Sequence, residues 1–139
     1  LKPLYTAVAE VTGGRDGRAR LADRPDAIEL SSPAAMGGTG TGFNPEQLFA
    51  VAFGACFSAA LDLEARQRGI ILKSCTVVPH VSIGHGDDGH FNLAIELHVR
   101  LPGLSRPVGE RLMHAADAAC PYAKLARGSA QVSLVLDSE

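Results

Sequence analysis

Cysteine is scarce in this chain: three occur in 139 residues, at positions 56, 75 and 120. An odd count this low excludes a secreted disulfide scaffold. It fits a reducing compartment in which a pair cycles, so a cytoplasmic location is expected, and no signal peptide is legible. Runs of Lys or Arg are missing too, with 13 basic residues against 15 acidic and a net charge of −2. That excludes a nucleic-acid or anionic-membrane surface built on charge. The longest apolar stretch, Leu48 to Leu63, is broken by Gly54, Ser58 and Asp62. It is expected to be too short and interrupted for a bilayer, and to form a buried core helix instead. No Gly-x-Ser-x-Gly elbow occurs, so a serine hydrolase is unsupported. The loop Gly37–Gly42 lacks the Gly-Lys-Ser/Thr ending of a phosphate-binding loop. Cys/His pairs at zinc spacing are absent. The segment His85-Gly86-Asp87-Asp88-Gly89-His90 gathers two His and two Asp, but Gly-Asp-Asp-Gly is what a hairpin turn needs, so no metal is expected.

What is present fits one domain over residues 1–139 with one core. Alternation predicts a strand over Tyr5–Val11, a glycine-rich turn at Gly13–Gly17 and a returning strand at Arg18–Leu21. Ala27–Ser31 is a further strand, followed by a Gly- and Thr-rich loop from Ser32 to Phe43. Asn44, Pro45 and Gln47 carry the start signals of a helix: a cap, a first-turn proline and a capping box. Gly69 is its natural stop, so the helix spans 45–68, about 36 Å, and apolar residues on nearly every side of its first half make it the central buried element. Thr76–Ile83 and His90–Leu101 form a hairpin. In the second of these strands Leu93, Ile95, Leu97 and Val99 face one way, and the opposite face is wet. A helix over Pro107–Ala119, striped by Val108, Leu112, Ala115 and Ala119, precedes a last strand, Ala130–Leu136. The class is α+β: antiparallel sheets packed around two helices.

Four residues stand out for chemistry. Cys56 sits inside the apolar helix, where Gly54 and Ala55 leave room for approach. It is either a small buried hydrophobe or a nucleophile. Cys120 directly precedes Pro121, which suits a first helical position. A thiolate there would accept backbone N–H bonds and feel the positive end of a helix dipole. The 64 positions between the two cysteines exclude a local Cys-x-x-Cys loop. Arg15, in the glycine-rich turn, offers a mobile positive charge, and Glu46 is a first-turn carboxylate. A guanidinium stabilises a thiolate and hydrogen-bonds a peroxide oxygen, and a carboxylate holds that guanidinium in a bidentate grip. Phe43, Phe49, Phe53, Phe57 and Met36 line an apolar entrance for an alkyl chain or simply fill the core. Cys75, at a strand start, has no expected role.

Three motifs in order cover almost the whole chain: Thr12-Gly13-Gly14-Arg15-Asp16-Gly17-Arg18, then Asn44-Pro45-Glu46-Gln47-Leu48-Phe49-Ala50 running into Ala55-Cys56-Phe57, then Cys120-Pro121-Tyr122. Together they resemble the organic hydroperoxide resistance (Ohr) branch of the Ohr/OsmC family. The resemblance implies an intertwined homodimer and a thiol peroxidase acting on organic hydroperoxides, including those of fatty acids. It implies Cys56 as peroxidatic and Cys120 as resolving cysteine, with Arg15 and Glu46 as the activating pair. It further implies dihydrolipoyl groups on lipoylated proteins as reductant, and no metal, haem or flavin. The chain departs from the commonest pattern at Phe43, at Ala52-Phe53-Gly54 and in the segment from Ala123 to Ser129. The alternatives are an OsmC-branch peroxidase, a redox sensor, or a non-enzymatic binder of small apolar ligands in which the thiols are incidental.

Overall fold

A computed structural model describes residues 1–128 and 130–137. The chain folds as two compact units, Leu1–Leu48 and the part from Phe49 onward.

In the first unit, three short strands form an antiparallel sheet in the order β1 (Ala9–Thr12), β2 (Arg18–Leu21), β3 (Ala27–Glu29). Thr12 pairs with Arg18, so the hairpin closes through Gly13–Gly17, which holds a 3-10 turn at Gly14–Asp16. Gly13 takes φ 84°, a left-handed conformation that side chains resist. At Gly17 a Cβ would lie 1.9 Å from the Thr12 carbonyl oxygen, so only glycine fits. The first strand is shorter than the expected Tyr5–Val11, because β2 offers four residues of ladder and pairing starts at Ala9↔Leu21. The third ends early, at Glu29. Beyond it the chain turns to meet Phe43: Phe43 N–H donates to Glu29 O and Ser31 N–H to Phe43 O, each at 3.0 Å. The expected loop carries a 3-10 turn at Ala34–Met36.

Helix α1 (Pro45–Gln67) starts as its sequence predicts. Gln47 N–H donates to Asn44 Oδ1 at 2.8 Å, and Asn44 N–H donates to Gln47 Oε1 at 3.0 Å, a reciprocal capping box. It stops at Gly69, φ 69°, whose N–H returns to Arg66 O while Ile70 N–H bonds Ala65 O. With 23 residues and a hydropathy of 1.6, α1 is long and apolar enough to cross a membrane by length and composition alone. Core helices reach the same length and hydropathy, and Phe53, Phe57, Leu61 and Ala65 of α1 lie in the core, as expected of this stretch.

The second unit adds β4 (Thr76–His85), β5 (Phe91–Arg100), α2 (Arg106–Ala119), α3 (Pro121–Ala126) and β6 (Gln131–Leu136). The sheet order is β4-β5-β6. β4 and β5 form the expected antiparallel hairpin, closed by Gly86–His90. β6 runs parallel to β5, with Leu134 beside Leu97. The sheet is therefore mixed rather than antiparallel, since two helices intervene and return the chain in the same direction. Pro79 sits on β4, an edge strand, where a missing N–H costs no ladder bond.

The core joins Phe53, Phe57 and Leu61 of α1 with Ile95, Leu97 and Val99 of β5 and Leu112, Met113 and Ala116 of α2. Each large side chain so buried contributes roughly 1.5–3 kcal/mol. The alternation expected for β5 holds: Ile95, Leu97 and Val99 point inward, and Arg100 is exposed. Two expectations do not hold. The α2 face is rotated, burying Gly109, Leu112, Met113 and Ala116. Gly109 selects it, because a Cβ there would stand 3.0 Å from Leu136 Cδ2. Helix α1 is buried on one side only, through Phe53, Gly54, Phe57, Ala60, Leu61 and Ala65, while Val51 is 72 % and Leu63 53 % exposed. A third helix, α3, opens at Pro121, the first helical position its sequence suggests, so the described residues hold three helices where the expected class counted two.

Candidate active site

Cys56 and Cys120 come together in the second unit. Cys56 is half-buried in the middle of α1. Cys120 is fully buried in the single-residue break between α2 and α3. Their sulfurs lie 3.5 Å apart, with the Cys120 thiol donating, and both are free thiols. The break is built by Pro121, whose lack of an N–H ends α2 and whose fixed φ opens α3. Cys120 takes an extended conformation there, φ −65° and ψ 122°, and makes no side-chain cap bond. The expectation that its sulfur accepts the N–H groups of the following helix is corrected. The backbone N–H of Tyr122 instead favours the ionised form of Cys56.

Burial pushes the Cys56 thiol above its ordinary pKa, and the hydrogen bond with Cys120 adds to that. The Tyr122 N–H acts in the opposite direction. Within this unit the net direction is upward, so the expectation of a lowered pKa does not hold there. The room expected at Gly54 is also taken. A Cβ at Gly54 would lie 3.1 Å from Pro79 Cγ, so α1 packs directly on β4 at this point. Cys75 stands apart from the pair in its bonding. Burial raises its pKa and the Ser58 hydroxyl opposes that.

In the first unit Arg15 and Glu46 form the expected fork. Arg15 Nη1 donates to Glu46 Oε2 at 2.9 Å and Nη2 to Oε1 at 2.6 Å. Side-chain exposure is 35 % for Arg15 and 14 % for Glu46. The bidentate bond holds the Glu46 carboxyl below the usual carboxylate range and raises Arg15 further. Asp16, which sequence reasoning passed over, anchors the turn that carries Arg15. Its carboxylate accepts Ser32 N–H at 2.8 Å and Ser32 Oγ at 3.2 Å. The signal was an Asp beside glycines, a residue that commonly binds nearby backbone in turns.

The five apolar candidates divide. Phe53 and Phe57 are sealed in the second unit's core. Phe49 is half-buried and packs edge-to-face on Phe53, with ring centroids 5.7 Å apart. Tyr122, also unassigned from sequence, lies 6.1 Å from Phe49 and 6.0 Å from Phe53. Phe43 and Met36 belong to the first unit and are 56 % and 42 % exposed. In the His85–His90 segment His85 ends β4 and Gly86–His90 form the turn, in which Asp88 Oδ1 accepts His90 N–H at 3.0 Å.

Comparison with known proteins places the chain in a family. The family model for OsmC-like protein matches residues 38–135. The chain is 39 % identical over 137 residues to an organic hydroperoxide resistance protein of Xanthomonas axonopodis pv. citri, covering 97 % of this chain and 96 % of that protein. It is 36 % identical to the organic hydroperoxide resistance protein OhrB of Bacillus subtilis, covering 96 % and 98 %. The crystal structure of OhrB superposes with a TM-score of 0.88 over 97 % of this chain and all of that one. An organic hydroperoxide resistance protein structure from Legionella pneumophila, 34 % identical, gives 0.93 over 99 % and 100 % of the two chains. The chain belongs to the OsmC-like family and, within it, to the organic hydroperoxide resistance branch.

Proposed function

We propose that this protein reduces organic hydroperoxides, fatty-acid hydroperoxides included, to alcohols through its thiols, and so confers organic hydroperoxide resistance. The observation that carries this reading is the 3.5 Å approach of the Cys56 and Cys120 sulfurs, both free, from different helices. The Cys56 thiolate attacks the distal peroxide oxygen. The O–O bond breaks, the alkoxide leaves and takes a proton, and Cys56 becomes a sulfenic acid. The Cys120 sulfur attacks Cys56, forming the disulfide and releasing water. A dihydrolipoyl dithiol, free or on a lipoylated protein, then supplies two electrons and two protons and leaves as its own disulfide.

Arg15, held by Glu46, is assigned as the cation that serves the Cys56 thiolate and the departing oxygen. Burial raises the thiol, and Cys120 offers no positive charge to offset it. Bringing a thiol from about 8.5 to about 6 raises its thiolate fraction roughly 30-fold at neutral pH. Stabilising charge on the leaving oxygen adds to that. Phe49 and Tyr122, which pack with Phe53, are assigned to the alkyl chain. A homodimer is part of the same reading, supported by the exposed Leu48, Val51 and Leu63 on α1, and so is a cytoplasmic location, on the free thiols.

Consumption of tert-butyl and cumene hydroperoxide with dihydrolipoamide tests it, with hydrogen peroxide alongside. Rapid turnover of the organic peroxides, lost in Cys56→Ser, is the expected result. Turnover no faster than that of a free thiol would instead favour a binder of apolar ligands.

A further inference from the structure

The sequence draws attention to the histidines of the turn at 85–90, but strand register gathers others. His80 on β4 pairs directly with Glu96 on β5. His98 is two positions beyond Glu96, so both side chains leave the sheet on its outer face. The rings of His80 and His98 stack, with centroids 4.7 Å apart and planes 29° from parallel. One ligand atom each from His80, Glu96 and His98 lies within 4.8 Å of the others. His80, Glu96 and Ser133 line a depression of about 270 Å³ over this face.

The surroundings orient these atoms. β6 runs parallel to β5, which places Asp137, just past its end, beside His98. Asp137 Oδ1 lies 3.0 Å from His98 Nδ1, leaving Nε2 directed at Glu96 Oε1, 2.5 Å away. Ser133 Oγ donates to the other Glu96 oxygen at 3.4 Å. A carboxylate on one imidazole nitrogen, fixing the other toward a shared point, is the usual support of a metal-ligating histidine. Two imidazoles and one carboxylate suit a borderline ion such as Zn²⁺ rather than Mg²⁺ or Ca²⁺, with water at the open position.

We propose that His80, Glu96 and His98 form a binding site for a zinc-type divalent cation, with Asp137 as the positioning residue for His98. Tetrahedral ligands about 2.0–2.1 Å from zinc stand about 3.3 Å apart. Binding therefore opens the His98–Glu96 contact by under 1 Å and draws the exposed His80 inward. The site is separate from the thiol pair and needs no peroxidase activity.

Isothermal titration with Zn²⁺ tests this in a Cys56→Ser/Cys75→Ser/Cys120→Ser host, so that thiols do not contribute, with fold checked by circular dichroism. One ion per chain with micromolar or tighter affinity is expected. His80→Ala and His98→Ala should each weaken it at least about tenfold, and Asp137→Asn about 10- to 100-fold. His85→Ala, at the end of β4, and His90→Ala, in the turn, should leave it unchanged. Absence of sub-millimolar binding, or losses that fall on the turn histidines instead, would overturn the proposal. In the unsubstituted chain, imidazole NMR signals of His80 and His98 should shift together on zinc addition. Shifts confined to other histidines would count equally against it.

Discussion

Cys120 directs its thiol at Cys56 across 3.5 Å, from the break between two helices to the middle of a third. A disulfide needs the sulfurs near 2.05 Å, so they must close by about 1.5 Å. Two of the three thiols are therefore predicted to disappear on treatment with one equivalent of cumene hydroperoxide, with a mass loss of about 2 Da. In Cys120→Ser the same treatment should leave Cys56 as a sulfenic acid, about 16 Da heavier, trapped by dimedone. Cys75→Ser should change neither result. Thiol counting and intact mass spectrometry decide it, and a disulfide that includes Cys75 would contradict the assignment.

The fork between Arg15 and Glu46 sets a second expectation. Two parallel N–H···O bonds fix a guanidinium plane as one contact does not, and an ammonium has no such plane to fix. Arg15→Lys is accordingly not conservative here. Both Arg15→Lys and Glu46→Gln should lower kcat/KM for cumene hydroperoxide roughly 10- to 100-fold, or about 1.4–2.7 kcal/mol of transition-state stabilisation. Steady-state assays with dihydrolipoamide measure this. Full activity in Arg15→Ala would remove the guanidinium from the reaction.

The pH dependence of Cys56 alkylation isolates the same cation. Burial and the Cys120 thiol raise the Cys56 pKa, so without a compensating charge the thiolate fraction at neutral pH falls below that of free cysteine. In Arg15→Ala the rate of reaction with iodoacetamide should rise with pH to a midpoint above that of free cysteine. On the proposed role of Arg15, in which a guanidinium favours the charged form, the midpoint in the unsubstituted protein should lie lower. Coincident profiles would show that Arg15 does not act on the thiolate.

Local signals in the sequence were sufficient for the elements that position these groups. The capping box of Asn44 and Gln47, the stop at Gly69 and the glycines around Arg15 each act within a few residues, and each appears in the structure as written. Orientation was less legible because it is set at a distance. The buried face of α2 is chosen by Gly109 against Leu136, and the parallel entry of β6 by the helices before it. The direction of the Cys56 pKa depends on burial and on a hydrogen bond with Cys120, 64 positions away. The clustering of His80 with His98 depends on strand register, whereas the pattern of the sequence favoured the adjacent histidines of the turn.

Gly54 carries the last prediction, because it sets how closely α1 approaches the sheet two residues before Cys56. A Cβ there would lie 3.1 Å from Pro79 Cγ and 3.3 Å from Pro79 Cδ, tight enough that the ring must give way. Alanine favours a helix over glycine by roughly 0.5–1 kcal/mol. Overpacking costs about 1–3 kcal/mol. Gly54→Ala should therefore lose about 1 kcal/mol of stability on balance, and Gly54→Val about 3 kcal/mol or more, since a branched side chain cannot avoid the ring. Pro79→Ala removes both offending ring atoms. In the double variant Gly54→Ala/Pro79→Ala the loss should be smaller than the sum of the two single losses, by at least about 0.5 kcal/mol. Urea denaturation of the four proteins measures that coupling. Additive losses would mean that the approach of α1 to β4 is set by other contacts. Coupling, together with slower disulfide formation in Gly54→Ala, would tie the position of the Cys56 sulfur to a missing methyl group two residues away.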